Sequence, residues 1–390
     1  YDKQKLKRVR MDYQEFLNNK DIIDKQSGFI PESLNPMLYD FQLSIVKWAC
    51  KRGRAAIFAD CGLGKTPMQL EWANQVYNHT GQSVLILAPL AVSKQTQREG
   101  EKFNITVKIC ESQNDVINGI NITNYEKLHK FDAGSFAGIV LDESSILKSY
   151  TGKFRNFIIE SFQKTPYKLA CTATPAPNDF MELGNHSEFL NILSRSEMLS
   201  LFFINDTANV GTWRLKGHGE EKFWKWLCSW AVMLSKPSEL GFDDNGFILP
   251  ELNIIEHVIK FGKPLEGALF PQKAETLSER RQARRESINE KIDVIKSLVK
   301  ENETWLIWCD LNNESESISS AINATEITGS QDNETKESRM IGFSSGEFKT
   351  LVTKAKIAGF GMNWQHCNNI IFAGLSDSYE AFYQAIRRCW

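Results

Sequence analysis

The chain has 390 residues, 42% hydrophobic and 24% charged, with a net charge of −2. This is ordinary globular composition, long enough for two domains with separate cores. It is not globally basic, so any contact with nucleic acid requires a local positive groove. The eight cysteines form no C-x-x-C pair and do not cluster with the six histidines. That usage points to reduced thiols in a cytoplasmic protein without a zinc site. No run of about eighteen apolar residues and no signal peptide is found, so no membrane contact is expected.

Residues 1–35 read as an N-terminal arm. Lys3, Lys5, Lys7, Arg8 and Arg10 make its start basic, and Met11 is read as the native start. A solvated tail is expected there, with DNA contact as the rival reading.

From Pro36 to Asn178, short apolar runs alternate with helical patterns. Strands are predicted at Ala55–Ala59, Val84–Ala88, Val107–Cys110, Gly119–Thr123, Gly138–Asp142 and Lys168–Thr172. Runs apolar on both faces and separated by helices predict a parallel sheet covered on both sides. The first strand leads into Ala59-Asp60-Cys61-Gly62-Leu63-Gly64-Lys65-Thr66, and a helix follows. Strand, glycine-rich loop, Lys-Thr and helix make a phosphate cradle. Backbone N–H groups and the helix N-terminus face the anion, Lys65 reaches the outer phosphates, and Thr66 can ligate magnesium. The strict pattern has Gly where Ala59 stands. The strand Ile139-Val140-Leu141 ends in Asp142-Glu143. Asp142 can hold the magnesium and Glu143 can orient and deprotonate a water. The next predicted strand ends at Thr172-Ala173-Thr174-Pro175.

Residues 185–250 read as a helical insertion and linker. Trp213, Phe223, Trp224, Trp226 and Trp230 are read as core aromatics, with a base-stacking surface as the rival. A charged helix is predicted over about Gln272–Lys300, with Arg280, Arg281, Arg284 and Arg285 within two turns. It reads as a solvated helix with interleaved Glu, and a phosphate-contacting face is the minority reading. Strands Thr304–Cys309, Ala324–Ile327, Thr350–Thr353 and Asn369–Ala373 then predict a second α/β lobe over 251–390. It carries the turn Gly359-Phe360-Gly361-Met362-Asn363-Trp364 and the late run Gln384-Ala385-Ile386-Arg387-Arg388.

In this order the motifs resemble those of the superfamily 2 helicases. The resemblance implies two RecA-like lobes, each a mostly parallel sheet covered by helices: 36–184 for ATP binding and 251–390 as the helicase C-terminal lobe. Leu38-Tyr39-Asp40-Phe41-Gln42 is similar to the family's adenine-reading segment. Thr174-Pro175, Asn178 and Glu182-Leu183 resemble the pattern of the Swi/Snf-type DNA translocases, and Gly361-Met362-Asn363 and Gln384-Ala385 fit that branch. The stretch from Pro36 to Trp390 is also similar to compact helicase-like proteins of bacterial phages and prophages.

The resemblance implies an ATP- and magnesium-dependent hydrolase that moves on double-stranded DNA without sequence preference, in a bacterial or phage-infected cell. It implies nucleotide contacts from Gln42, Gly62, Leu63, Gly64, Lys65, Thr66, Gly361, Gln384 and Arg388. Lys65, Glu143 and Arg388 are expected to carry catalysis, Arg388 as a cation inserted from the second lobe. Thr66 and Asp142 are the expected metal ligands. Pro89, Thr123, Asn124, Tyr125, Thr353, Lys354, Asn363 and Trp364 are the nucleic-acid candidates, although Trp364 equally suits a core. Thr172 and Thr174 either couple hydrolysis to the DNA groove or simply end a strand. There are two departures. The acidic motif continues Ser144-Ser145, where the family has a domain-coupling His or Asp. The last motif in the family runs one Arg further than Trp390, so the natural protein is expected to continue. A strand-separating DNA or RNA helicase is the alternative, and a DNA-binding scaffold with a decayed ATPase is the non-enzyme alternative. Protein partners are not legible.

Overall fold

The computed structural model describes residues 26–89, 92–148, 152–205, 213–259, 276–359, 362–375 and 378–390. These fall into two compact units. The first takes the described residues up to Ala88 together with Thr96–Phe247. The second takes Pro89–Gln95 with Ile248–Trp390.

The first unit is built on strands β1 (Arg54–Ala59), β2 (Val84–Ala88), β3 (Val107–Ile109), β4 (Ile120–Asn124), β5 (Gly138–Asp142), β6 (Tyr167–Cys171) and β9 (Ala231–Leu234). They form one sheet of seven strands in the order β3-β4-β2-β5-β6-β1-β9, and every pair is parallel. Val84, Leu85, Ile86, Leu87 and Ala88 of β2 are all buried, as a strand covered on both faces requires. Parallel pairing sends every connection back along a covering segment, so the loops after the strands gather at one edge. Asp142 at the end of β5 pairs with Cys171 of β6, and Cys171 pairs with Ile57 of β1. The phosphate loop, the acid pair and Thr172 therefore leave three adjacent strands at the same level.

The described residues from 185 to 247 pack into this unit. Phe223, Trp226 and Trp230 pack with Phe58, Leu141 and Ala170 in one core cluster. Helix Glu220–Trp230 then runs straight into β9, which pairs with β1. The short antiparallel pair of β7 (Phe203–Asn205) and β8 (Trp213–Leu215) lies in the same stretch. Of the aromatics expected to fill a core, Phe223, Trp226 and Trp230 do so, and Trp213 and Trp224 pack against it partly buried.

The second unit has strands β10 (Trp305–Cys309), β11 (Thr325–Glu326), β12 (Thr350–Lys354) and β13 (Asn369–Phe372). They form a parallel sheet in the order β11-β12-β10-β13. One core cluster joins Leu306, Trp308, Phe343, Leu351, Trp364 and Ala385. The other joins Ile295, Ile307, Cys309, Ile318 and Val352. Each unit is thus a parallel sheet covered by helices, the RecA-like arrangement. No helix among the described residues is long and apolar enough to cross a membrane.

Candidate active site

The loop after β1 turns on two glycines in left-handed backbone, Gly62 at φ +85° and Gly64 at φ +74°. A Cβ on Gly64 would lie 2.3 Å from the Gln42 amide nitrogen, whereas one on Gly62 would meet nothing within 4 Å. Gly64 is therefore required by both conformation and packing, and Gly62 leaves open space over the loop. Helix Lys65–Thr80 starts at Gly64, which offers no side-chain cap. Its first N–H groups are thus left for a ligand. The Lys65 ammonium donates to the Ala59 carbonyl at 2.9 Å and the Asp60 carbonyl at 3.1 Å. This holds it over the loop it is expected to serve.

Gln42 is buried. Its amide nitrogen donates to the Leu63 carbonyl at 3.0 Å, and its oxygen accepts from the Tyr39 N–H at 3.1 Å. Both ends of the amide expected to read adenine are engaged within the protein. In this structure Gln42 ties helix Asp40–Arg52 to the phosphate loop.

Thr66 and Gln69 lie on one face of helix Lys65–Thr80, three residues apart. The Gln69 amide donates to Asp142 Oδ1 at 2.8 Å, and the Tyr125 hydroxyl donates to the Asp142 carbonyl at 2.7 Å. The carboxylate and the backbone of Asp142 are thereby both fixed. Thr66 and Asp142 present a hydroxyl and a carboxylate, an oxygen-only donor set. That set suits magnesium, which takes one or two protein oxygens and leaves its other positions to water and phosphate.

Glu143 has φ +60°, an uncommon backbone for a residue with a side chain and a marker of functional strain. Its Oε1 accepts from the Thr172 hydroxyl at 2.5 Å and the Ser145 hydroxyl at 3.0 Å. The same Thr172 oxygen accepts the Thr174 N–H at 3.0 Å. Burial pushes the Glu143 carboxyl above its usual range and nearby Asp142 adds to the shift, while Lys65 and the bonds from Thr172 and Ser145 oppose it. A carboxylate shifted upward and held in place is suited to accepting a proton.

Sequence reasoning did not find Gln69, nor the bond between His186 and Ser144. His186 Nε2 lies 3.1 Å from the Ser144 hydroxyl in a fully buried position. Burial lowers its pKa to about 4, so the ring is neutral near pH 7. Ser145, expected to lack a coupling contact, holds Glu143 instead.

Several nucleic-acid candidates have side chains engaged internally. Thr123 and Tyr125 are buried, and Asn124 caps the following turn by accepting the Lys127 N–H at 3.1 Å. Thr353 is fully buried and donates to the Ile327 carbonyl at 3.1 Å. Trp364 is a core residue packed on Trp308 and Phe343, and its ring N–H donates to the Ser344 hydroxyl at 2.9 Å. The stacking role is corrected to core filling, because a fully buried ring offers no face to a base. Pro89, Lys354 and Asn363 remain at least partly exposed. Gly361 lies outside the described residues.

Arg388 is held inside the second unit. Its guanidinium donates to the Gln384 carbonyl at 2.9 Å, the Gln384 side-chain oxygen at 2.7 Å and the Met362 carbonyl at 2.8 Å. It is 8% exposed and serves as an internal bracket of the second unit. Its neighbour Arg387 instead lies over the rings of Trp390 at 5.0 Å and Tyr383 at 5.9 Å.

Two family models match the sequence: "Type III restriction enzyme, res subunit" over residues 13–177 and "Helicase conserved C-terminal domain" over residues 290–390. No curated protein matches it. Among solved structures, the chain is similar to the Sulfolobus solfataricus SWI2/SNF2 ATPase core in complex with dsDNA. That match has 17% identity and a TM-score of 0.47, and it covers 88% of this chain and 83% of that one. The SWI2/SNF2 ATPase core domain of the same organism matches at 18% identity and a TM-score of 0.47, over 93% and 85% of the two chains. With the phosphate loop and acid pair in one matched region and the second parallel sheet in the other, the chain belongs to the superfamily 2 helicase-like proteins.

Proposed function

We propose that the protein is an ATP- and magnesium-dependent translocase on double-stranded DNA. The observation that carries the hydrolytic half is Glu143, held by Thr172 and Ser145 at the same sheet edge as the phosphate loop. Lys65 and the N–H groups at the start of helix Lys65–Thr80 bind the outer phosphates. Thr66 and Asp142 hold magnesium, which when bound neutralises phosphate charge. Glu143 orients the attacking water and accepts its proton. Thr172 links that carboxylate to the backbone of Thr174, giving hydrolysis a path into the Thr174–Leu183 segment.

The DNA half rests on that segment. Asn178 and Glu182, two residues of the Swi/Snf-like pattern, are bonded to each other, with the Asn178 amide donating to Glu182 at 2.8 Å. Contact is expected with phosphates, which carry no sequence information. The test is ATPase rate without nucleic acid and with double-stranded DNA, single-stranded DNA or RNA. Double-stranded DNA is expected to stimulate most. A preference for RNA overturns the DNA reading, and indifference to every polymer overturns translocation.

A further inference from the structure

Glu143 keeps a left-handed backbone, at φ +60°, and such a conformation persists only where the surroundings fix it. The bonds from Thr172 and Ser145 fix its carboxylate. The turn that carries Ser145 needs a support of its own. That turn, Ser144–Lys148, closes on Glu143 itself, with the Ile146 N–H donating to the Glu143 carbonyl at 3.3 Å. A shift of the turn therefore carries both Ser145 and the Glu143 backbone with it.

Two adjacent residues of helix Leu183–Phe189 hold this turn at its two ends. At the start, His186 Nε2 lies 3.1 Å from the Ser144 hydroxyl. At the end, the Asn185 side-chain amide donates to the Leu147 carbonyl at 2.8 Å and to the Lys148 carbonyl at 3.3 Å. Asn185, His186, Ser144 and Leu147 are all buried. Solvent does not reach these groups to replace a lost bond, so the turn depends on the helix for its polar partners.

The helix is a firm support. Gly184 brings it against helix Arg195–Phe202 so closely that a Cβ there would lie 2.9 Å from Arg195 Cγ and Met198 Cε. At its other end, Nζ of the buried Lys168 in β6 donates to the Phe189 carbonyl at 2.8 Å. The Phe58 ring of β1 stands edge-on to His186, with centroids 5.2 Å apart and planes at 81°, which sets the plane of the imidazole. The strand before the phosphate loop, the strand before Thr172 and the turn after Glu143 thus all meet this one helix.

We propose that Asn185 and His186 are positioning residues for the hydrolytic step, holding the Ser144–Lys148 turn so that the Glu143 carboxylate stays aimed at the attacking water. Both act through the turn. The inference rests on the hydrolytic reading of Glu143 above and adds two residues to it. A displacement of about 1 Å is enough to slow a reaction strongly when the displaced group must meet a reacting atom in one geometry.

The test is kcat and KM for ATP in the full chain with saturating double-stranded DNA. Rates are taken per folded molecule, well below the melting temperature of each variant. Asn185→Leu removes both donors at nearly constant volume and is expected to lower kcat about tenfold, with KM within about twofold of wild type. His186→Leu is expected to behave alike. His186→Gln carries an amide that can donate to or accept from the Ser144 hydroxyl, and it is expected to recover most of the loss. Ser144→Ala deletes the same contact from the side of the turn, and it serves the test should His186→Leu fail to fold. Combined with His186→Leu it is expected to add no further loss, since both remove one contact. Wild-type kcat in Asn185→Leu and Ser144→Ala overturns the proposal. A raised KM at constant kcat also overturns it, because the residues then serve nucleotide binding. Equal losses in His186→Gln and His186→Leu reduce His186 to packing and overturn its part. A wild-type chain that binds ATP without hydrolysing it overturns the hydrolytic reading itself.

Discussion

The Glu143 carboxylate accepts the Thr172 hydroxyl across 29 residues of sequence, joining the ends of the adjacent strands β5 and β6. Glu143→Gln keeps the size of the side chain but cannot accept a proton. Its turnover is expected to fall by about 10²–10⁴ with nucleotide affinity retained. Thr172→Val keeps the shape and deletes the bond that aims the carboxylate, so a smaller loss of about tenfold is expected. Single-turnover hydrolysis alongside equilibrium nucleotide binding checks both. Normal hydrolysis by Glu143→Gln would move the base elsewhere.

The acid limb of the pH–rate profile follows from the same pair. Burial raises the Glu143 pKa, and the Thr172 bond pulls it down. A base works when deprotonated, so turnover should fall as pH drops through a value above the ordinary carboxylate range. Thr172→Val removes a bond that favours the charged form, so its acid limb should move to higher pH. An unshifted limb in Thr172→Val would mean that another group titrates there.

The parts of the fold carried by local pattern were legible in the sequence. Val84–Ala88 and Gly138–Asp142 were read at the bounds the structure has, because fully apolar runs in a parallel sheet leave little choice. β9 was not legible. Ala231–Leu234 follows helix Glu220–Trp230 directly, with no Gly or Pro to mark the change, and only pairing with β1 makes it a strand. At the site, the phosphate loop was legible because its left-handed backbone favours glycine at Gly62 and Gly64, and the acid pair because it ends an apolar strand. The bonds of Gln42 to Leu63 and of Ser144 to His186 were not. They join residues 21 and 42 apart, and nothing local requires either.

His186 supplies a stability prediction. Its pKa is about 4 in the folded chain against 6.5 unperturbed, so between those values the unfolded state binds more protons. The stability contribution of the neutral ring is fully present above pH 6.5 and is lost as pH falls towards 4. A lowering from 6.5 to about 4 corresponds to about 3 kcal/mol. His186→Leu removes the titration but leaves Ser144 without this partner, at a cost of about 1 kcal/mol. Its melting temperature is expected to be below wild type at neutral pH and above it near the acid end. Parallel curves for the two proteins would exclude His186 as the titrating group.

Arg388 is buried and bonded within the second unit. As a cation acting on the transferring phosphoryl group, it would be expected to lower turnover when removed and to leave the fold intact. Its three donated bonds fasten Met362 to Gln384, and its own carbonyl accepts the Trp364 backbone N–H at 2.8 Å. The turn carrying Asn363 and Trp364 is thereby held to helix Tyr379–Ile386. Arg388→Ala leaves buried carbonyl and amide oxygens without these donors, at a cost of about 2–4 kcal/mol. Lys cannot reproduce the fork, so Arg388→Lys should recover only part of it. The expected result is a lowered melting temperature, with turnover falling in step with the folded fraction. Arg387, lying over Trp390 and Tyr383, is the contrasting case, and Arg387→Ala is expected to cost less than about 1 kcal/mol. Thermal melts and turnover measured on the same preparations separate the two roles. An Arg388→Ala protein that melts like wild type yet hydrolyses about 10³-fold more slowly would show that the guanidinium leaves its bracket during the cycle and acts on the phosphate after all.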